Sequence, residues 1–189
     1  MAEQKKTINL TIPILVVLLM VASGVIGAMW MKMKNPANPP KVENGTGATP
    51  QPTSEPLPTT IGNFMVTKEE ICQEDGRPII YFFGSSSCPH CIWSKPIMAR
   101  VNQKFGKIIA YHENIDSQAD QEVIERFKDI NPGYVPFFVF GCKYVRVGSG
   151  ETSGEASEEK NLTALICKLT NNQPEKVCSG VKDLIEQIK

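Results

Sequence analysis

The sequence has no excess of charge of either sign: its 189 residues include 20 Lys and Arg against 20 Asp and Glu, for a formal net charge of zero. The basic residues are scattered along the chain and form no stripe, so the electrostatic signature of a nucleic-acid-binding domain is missing. We therefore expect no nucleic-acid partner. The length leaves room for one ordinary domain and accessory segments.

Charge is also missing from one long segment near the N-terminus. Residues 1–7 form a short polar stretch, whereas residues 8–31 (INLTIPILVVLLMVASGVIGAMWM) contain no charged side chain. Such a run, as a helix, can cross a hydrocarbon core of about 30 Å. We expect a transmembrane anchor at residues 8–31. The alternative is a cleaved signal peptide, with small residues leading to a poor cleavage site at Ala28.

Apolar residues are scarce between residues 35 and 60 (NPANPPKVENGTGATPQPTSEPLPTT), where Pro, Thr and Gly dominate. A segment of this composition cannot bury enough apolar surface to offset the entropy that it would lose on ordering. We therefore predict a flexible linker over residues 35–60, followed by a folded domain over residues 61–189.

Strand-like and helix-like patterns alternate within residues 61–189. The predicted elements are a short helix opened by the capping-box pattern of Thr67–Glu70, a strand at Arg77–Gly84, a helix at Cys88–Phe105, a strand at Lys107–Asn114, a helix at Ser117–Asp129, a hairpin of Phe137–Phe140 and Lys143–Val147, and helices at Glu158–Leu169 and Gly180–Ile188. This order predicts an α/β fold with a mixed central sheet and helices on both faces.

The chain contains six cysteines. An even, high number of cysteines behind a membrane span is typical of proteins in an oxidising compartment. We therefore expect the folded domain to lie on the extracytoplasmic side of the membrane.

Two of the cysteines, Cys88 and Cys91, stand in the segment GSSSCPHCIWSKP, after a buried strand and at the start of a helix. Backbone N–H groups and the helix dipole stabilise a thiolate at this position. His90, when protonated, stabilises the same anion, and Pro89 starts the helix. We expect Cys88 and Cys91 to form a redox couple in which His90 and Pro89 favour the Cys88 thiolate.

Other uses of the pair lack what they require. A zinc site needs two more ligands, and the sequence has no second Cys-x-x-Cys. Covalent haem attachment needs His directly after the second Cys, where Ile92 stands. A structural Cys88–Cys91 bridge would close too small a ring to stabilise much. We therefore expect no metal and no cofactor besides the redox-active disulfide.

Residues 61–189 resemble the thioredoxin superfamily, and the Cys-Pro-His-Cys tetrapeptide resembles the disulfide oxidases of the DsbA type. Pro96 lies five residues after Cys91, where thioredoxin-like proteins have a helix-kinking proline. Gly133–Pro136 precedes a strand and is similar to the cis-proline loop of the family. The resemblance implies a thioredoxin-like three-layer sandwich, with Val135 and Pro136 at the substrate-binding edge. Trp93, near the cysteines, is a further candidate for substrate contact.

The sequence departs from the family pattern near the cysteines. Ser87 replaces a tryptophan before the first cysteine, and Phe82 stands where the family has a buried acid. The proton acceptor for Cys91 must then be another group, and His112 and Glu113 are the candidates for a proton relay. A surface role for His112 is the alternative.

The resemblance implies a membrane-anchored thiol–disulfide oxidoreductase that introduces disulfides into exported cysteine-containing proteins. Re-oxidation would require a quinone-linked membrane partner of the DsbB or vitamin K epoxide reductase type. One alternative is a thioredoxin-like reductase or isomerase, for example one serving cytochrome c maturation. Another is a non-catalytic adaptor or metal-binding module that uses the fold as a scaffold.

The remaining four cysteines allow three pairings. If Pro136 lies beside the active site, as the resemblance implies, the following strand runs away from it and brings Cys142 near Cys72. Cys167 ends one helix and Cys178 precedes the next, so the two can join across the intervening turn. We predict structural disulfides Cys72–Cys142 and Cys167–Cys178, each worth about 2–4 kcal/mol.

Overall fold

The structure, a computed structural model, describes residues 56–189. The predicted polar N-terminus (1–7), the predicted anchor (8–31) and the linker up to residue 55 lie outside the described residues. Among residues 56–189, no helix is both long enough and apolar enough to cross a membrane.

Strands and helices alternate along the described part of the chain. The strands are β1 (Met65–Val66), β2 (Gln73–Glu74), β3 (Arg77–Gly84), β4 (Ala110–Ile115), β5 (Phe137–Phe140) and β6 (Tyr144–Val147). The α-helices are α1 (Pro89–Phe105), α2 (Gln121–Arg126), α3 (Glu155–Leu169), α4 (Glu175–Cys178) and α5 (Lys182–Ile185). Short 3-10 turns lie at Ile61–Asn63, Gly106–Ile108, Glu151–Ser153 and Ser179–Val181.

The sheet is mixed, and β3 is its centre. β3 pairs parallel with β4 and antiparallel with β5, while its first residues form a hairpin with β2. β5 and β6 form the predicted hairpin, and β1 adds to the outer edge of β6. The prediction of a mixed sheet combined with helices is therefore confirmed.

Side chains of β3 alternate between two apolar clusters, one on each face of the sheet. Ile80 and Phe82 pack in the larger cluster with residues of α1 and α3, whereas Tyr81 and Phe83 pack in the smaller one with Val123 of α2. Because both faces are covered, the strand reads as a continuous apolar run rather than an alternating one.

The helix predicted at Thr67–Glu70 is wrong. The Thr67 hydroxyl donates to the carbonyl of Cys142 at 2.7 Å, and the backbone N–H of Glu69 donates to that hydroxyl at 3.1 Å. The threonine therefore stabilises a turn against the β5–β6 hairpin, a use of its side chain that competes with helix capping.

Two element boundaries differ from the prediction for local backbone reasons. The strand expected at residues 107–114 begins only at Ala110, because Gly106–Ile108 form a 3-10 turn. The helix expected at residues 117–129 is shorter, Gln121–Arg126, because Asp120 takes a left-handed conformation with φ of 56°. Such a residue cannot sit inside a right-handed helix.

The C-terminal helices also differ from the prediction. Helix α3 starts at Glu155, directly after Gly154, whose φ is 78°. The helix expected at residues 180–188 is shorter, Lys182–Ile185 (α5), and it follows α4 and the 3-10 turn at Ser179–Val181. The last segment still packs its apolar residues, such as Ile185, into the larger cluster.

Two disulfides join elements of the domain. Cys72 is bonded to Cys142 and Cys167 to Cys178, with Cα–Cα distances of 5.4 and 5.6 Å. These are the two pairs that the sequence analysis predicts. Cys142 lies at the turn after β5, at the end of the sheet where β3 begins.

Candidate redox site

Cys88 and Cys91 are free thiols at the start of α1. Cys88 is the N-cap, and its Sγ accepts a hydrogen bond from the backbone N–H of Cys91 at 3.3 Å. Cys88 is partly exposed, whereas Cys91 is only 1% exposed. The two sulfurs therefore differ in role: one can meet another molecule, and the other lies behind it.

Gly84 at the end of β3 allows the helix start to lie against the sheet. A Cβ at this position would come within 3.2–3.3 Å of the Cys91 side chain and 2.7 Å of Ile115 Cδ1. A larger residue would therefore push α1 away and displace the cysteine pair.

Burial raises the pKa of Cys91 to about 11, and a hydrogen bond with Cys88 adds to this effect. A backbone hydrogen bond from Ser85 opposes it only in part. Cys91 is consequently protonated at neutral pH in the dithiol form, and any step in which it attacks or leaves requires a proton transfer.

The loop before β5 contacts Cys88. The Val135–Pro136 peptide bond is cis, and the Val135 carbonyl oxygen is 3.7 Å from Cys88 Sγ. Pro136 is buried while Val135 is exposed. The structure thus brings Val135 and Pro136, both predicted from the resemblance, next to the reactive sulfur.

Asn131 holds this loop in place, a role that the sequence analysis missed. Its side chain is buried and accepts hydrogen bonds from the N–H groups of Gly133 (3.1 Å) and Tyr134 (2.7 Å), while its amide donates to the Tyr134 carbonyl at 2.9 Å. The available signal was the Asn-Pro-Gly turn sequence, which favours an Asn side chain bonded to its own turn.

His90 points to a partner that the sequence analysis also missed. The His90 Nδ1 is hydrogen-bonded to the Glu151 carboxylate, which also accepts from the Ser149 hydroxyl at 2.9 Å. The hydrogen bond with His90 lowers the pKa of Glu151. Because Glu151 is 61 residues away in sequence, no local pattern indicated this contact.

A buried ion pair anchors the loop that presents Glu151. The Arg146 guanidinium binds both oxygens of the Glu158 carboxylate, and it also donates to the carbonyls of Gly148 (3.1 Å) and Gly62 (3.0 Å). A Cβ at Gly150 would overlap the Glu158 carboxylate. The loop between β6 and α3 is thus fixed at the buried carboxylate.

The turn that leads into α1 is fixed by Asp116 at the end of β4. Its carboxylate accepts from the backbone N–H of Ser86 at 3.1 and 3.3 Å. Hydrogen bonds from Ser86 and Ser85 lower the pKa of Asp116, so this anchor is ionised at neutral pH.

A groove of about 190 Å³ opens beside Cys91. Its lining consists of Ser85, Ser86, Cys91, Ile92, Lys95, Pro96 and Ile115. The Lys95 ammonium lies 2.8 Å from Glu113 Oε1, and the Tyr111 hydroxyl donates to the other oxygen of Glu113 at 3.2 Å. The groove therefore connects the buried sulfur with a lysine–carboxylate pair.

His112 lies on the other face of the sheet from this groove, so its predicted role in a proton relay to Cys91 is not supported. Its Nδ1 is 2.9 Å from Asp120 Oδ2 and its Nε2 is 3.0 Å from Glu74 Oε2. Its ring also packs edge-on against Tyr81 of the smaller apolar cluster. Alternation along β4 puts His112 and Glu113 on opposite faces, which the sequence analysis did not take into account.

His112 should make stability depend on pH. Burial alone lowers the pKa of His112, but the contacts with Asp120 and Glu74 outweigh burial and raise it. A raised pKa in the folded state adds stability that is complete below about pH 6.5 and is lost as the pH rises through the folded value.

Urea unfolding from about pH 5.5 to 9 tests this expectation. The wild type should lose more stability across the upper half of the range than the His112→Gln variant. The other histidine of the chain, His90, is present in both proteins. Any contribution of His90 to the pH dependence of stability is therefore the same in both. Parallel pH profiles for the two proteins would contradict the prediction.

The exposed apolar side chains near the cysteines are not the ones expected. Trp93 is half-buried and packs against the larger cluster, so its predicted contact with substrate is not supported. Ile92 is 58% exposed, and Tyr134 and Val135, in the loop beside Cys88, are also exposed. The helix places successive side chains about 100° apart, which turns Ile92 outward and Trp93 inward.

Within residues 56–189, no group of three or more His, Cys, Asp or Glu side chains is arranged to hold a metal ion. Comparisons with protein-family models, with curated proteins and with solved structures find no match to this chain.

Proposed function

We propose that this protein is a membrane-anchored thiol–disulfide oxidoreductase whose domain on the extracytoplasmic side oxidises exported proteins through Cys88 and Cys91. A thioredoxin-like fold of the DsbA type is part of this proposal. It is supported by the mixed sheet with helices on both faces and by the Cys-Pro-His-Cys sequence at a helix start.

The asymmetry of the cysteine pair is the observation that supports the proposal most strongly. Cys88 is the partly exposed N-cap of α1, and Cys91 is a buried thiol with a pKa of about 11. A partly exposed thiol at a helix start, backed by a buried one, is the arrangement that disulfide exchange requires.

The reaction begins from the Cys88–Cys91 disulfide. A substrate thiolate attacks Cys88 Sγ, a substrate–Cys88 disulfide forms, and Cys91 leaves as a thiolate that takes up a proton. A second substrate thiolate then attacks the substrate sulfur of the mixed disulfide, and Cys88 leaves as a thiolate. The substrate loses two electrons and gains a disulfide, and the couple is left reduced.

Lys95 and Glu113 are the groups through which we propose that Cys91 exchanges its proton. Lys95 lines the groove beside Cys91, and Glu113 lies 2.8 Å from its ammonium group. The cation stabilises the departing Cys91 thiolate, and the groove is large enough to hold the water that links the groups.

Substrate contacts are proposed for the exposed rim around Cys88. The Val135 carbonyl beside Cys88 Sγ and the buried Pro136 present a backbone edge to an extended substrate segment. Ile92 and Tyr134 offer apolar contact on either side. A shallow rim of this kind suits unfolded chains with many different sequences.

We infer the compartment and the partners of the proposed enzyme from features outside the site. Two disulfides besides the couple indicate an oxidising environment. The predicted anchor at residues 8–31 would raise the effective concentration of a membrane partner. A quinone-linked re-oxidant of the DsbB or vitamin K epoxide reductase type would return the couple to the disulfide form.

Oxidative folding of a reduced, unfolded protein tests the activity. The oxidised full chain, added in stoichiometric amount, should form substrate disulfides and itself become reduced at Cys88 and Cys91. A Cys88→Ser variant, which keeps both structural disulfides, is the matched control and should form none. Equal substrate oxidation by the two proteins would contradict the proposal.

A further inference from the structure

A cationic side chain lies against the Cys72–Cys142 disulfide, at the end of the sheet opposite the redox couple. The Nη1 of Arg126 is 3.2 Å from Cys72 Sγ and 3.5 Å from Cys142 Sγ. Cys72 is partly exposed, whereas Cys142 is buried at 1% exposure. Cys72 is therefore the more accessible residue of this bridge.

Arg126 is available to interact with the sulfurs because its charge is not already paired. None of the ion pairs found among residues 56–189 involves Arg126. A guanidinium next to a sulfur stabilises the thiolate far more than it stabilises the neutral disulfide, because only the thiolate has a charge.

We propose that Cys72 is a second thiol-exchange site, at which low-molecular-weight thiols open the Cys72–Cys142 bridge with the help of Arg126. The thiolate of the small molecule attacks Cys72 Sγ and forms a mixed disulfide there. Cys142 leaves as a thiolate beside the Arg126 guanidinium. A second small thiolate can then attack the small-molecule sulfur of the mixed disulfide and release Cys72 as a thiolate, so that two small thiols are oxidised to their disulfide and the two cysteines gain the two electrons.

Exchange is faster when the departing thiolate is stabilised. Attack at Cys72 makes the buried Cys142 the departing sulfur, and Arg126 contacts that sulfur directly. Without a cation, a thiolate at a buried position would be strongly disfavoured. Arg126 therefore removes the main obstacle to opening this bridge.

The domain has other contacts that hold this region when the bridge opens. The Cys72 N–H donates to the Gly141 carbonyl at 3.0 Å, and the Ile79 N–H donates to the Cys72 carbonyl at 3.1 Å. The Thr67 hydroxyl donates to the Cys142 carbonyl at 2.7 Å. Because these hydrogen bonds do not involve the sulfurs, we expect the opened form to stay folded and to close again when the thiol is removed.

The second structural disulfide is an internal control within the same molecule. Cys167 and Cys178 are 0% and 2% exposed, and no Lys or Arg side chain of the described residues is hydrogen-bonded to either sulfur. The sulfurs of this bridge are therefore neither accessible to a small thiol nor next to a cation that would stabilise a departing thiolate.

The experiment uses the full chain with Cys88→Ser and Cys91→Ser, so that the redox couple cannot exchange with the other bridges. The oxidised protein is incubated with reduced glutathione, quenched with acid at intervals, alkylated and mapped by mass spectrometry. Circular dichroism on the same samples checks that the protein remains folded. The same series is run with Arg126→Gln and with Arg126→Lys.

We expect glutathione to appear on Cys72 while Cys167–Cys178 is intact. Arg126→Gln should slow the opening of Cys72–Cys142 on the order of tenfold, and Arg126→Lys, which keeps the charge, should recover part of the rate. The inference is overturned if both bridges open at the same rate, or if Arg126→Gln leaves the opening rate of Cys72–Cys142 unchanged. Failure of substrate oxidation by Cys88 would not affect it, because the couple is absent from this protein.

Discussion

Replacing Glu158 with Gln should destabilise the domain by about 3–5 kcal/mol, because it leaves a buried guanidinium without its counter-charge. Glu158 is 1% exposed and Arg146 is 4% exposed. The Arg146 guanidinium also lies over the rings of Phe64 and Phe138, at 4.5 and 4.6 Å from their centroids, and so cannot turn to solvent without disrupting the core. Urea unfolding of the wild type and the variant measures the loss.

Glu155, one turn earlier on the same helix, provides the matched control. Its carboxylate also binds an arginine, Arg100, at 3.0 Å, but both side chains are largely exposed. Exposed pairs of this kind contribute little, because water screens them. Glu155→Gln should therefore leave the urea midpoint unchanged within error, and a similarly small change for Glu158→Gln would contradict the structural role of the buried pair.

Burial of both charges, rather than their attraction alone, should determine the size of this effect. Removing both partners at once, in Arg146→Met with Glu158→Leu, deletes two buried charges together and should recover much of the loss. The double variant should nevertheless loosen the loop that holds Glu151, because it also removes the hydrogen bond to the Gly148 carbonyl.

Replacing Cys91 with Ser should trap substrate proteins covalently on Cys88. The Cys88 thiolate can attack a disulfide of a substrate protein and form a mixed disulfide, releasing one substrate thiol. In the wild type, Cys91 then displaces the substrate, whereas Ser cannot. Adducts should therefore accumulate to an amount on the order of ten times that of the wild type or more, and non-reducing electrophoresis with mass spectrometry measures them.

Cys88→Ser is the control for trapping. Only Cys91 of the couple remains in this variant, at a position that is 1% exposed and where burial raises the pKa of the thiol. It is neither accessible nor ionised at neutral pH, so no adducts are expected. Equal adduct formation by Cys88→Ser and Cys91→Ser would contradict the roles given to the two sulfurs.

Regular, local patterns were sufficient to predict much of the fold. The run of β-branched and aromatic residues in β3 was predicted with both ends correct. A short continuous apolar run of this kind is typical of a strand that is buried on both faces. The Cys72–Cys142 pairing followed from the direction of β5 relative to β3 that the resemblance implies, and the Cys167–Cys178 pairing followed from the short turn between two predicted helices. The strand prediction depends on a pattern that the sequence displays directly, whereas the Cys72–Cys142 prediction also depends on the resemblance.

Features that depend on single backbone conformations or on distant contacts could not be predicted. The left-handed conformation of Asp120 shortened α2, and the bond from Thr67 to the Cys142 carbonyl replaced a helix with a turn. In a sequence, a threonine that caps a helix and one that binds a distant carbonyl look the same.

The same division applies to the site. Cys88, Cys91 and Pro136 belong to short motifs, and the structure brings these residues together. Glu151 was missed because it acts through a contact that only the folded chain creates, whereas Asn131 was missed although the Asn-Pro-Gly turn sequence was a local signal for it. His112 was named as a candidate beside Glu113 because the alternation along β4, which puts the two side chains on opposite faces of the sheet, was not taken into account.

The reduction potential of the Cys88–Cys91 couple tests the proposed oxidase most directly. It is obtained from the fraction of the couple that is oxidised at equilibrium in glutathione buffers of known composition, followed by mass spectrometry. We predict a value nearer to the roughly −120 mV of a strong disulfide oxidant than to the roughly −270 mV of thioredoxin. A value at the thioredoxin end would contradict the oxidase and favour a reductase.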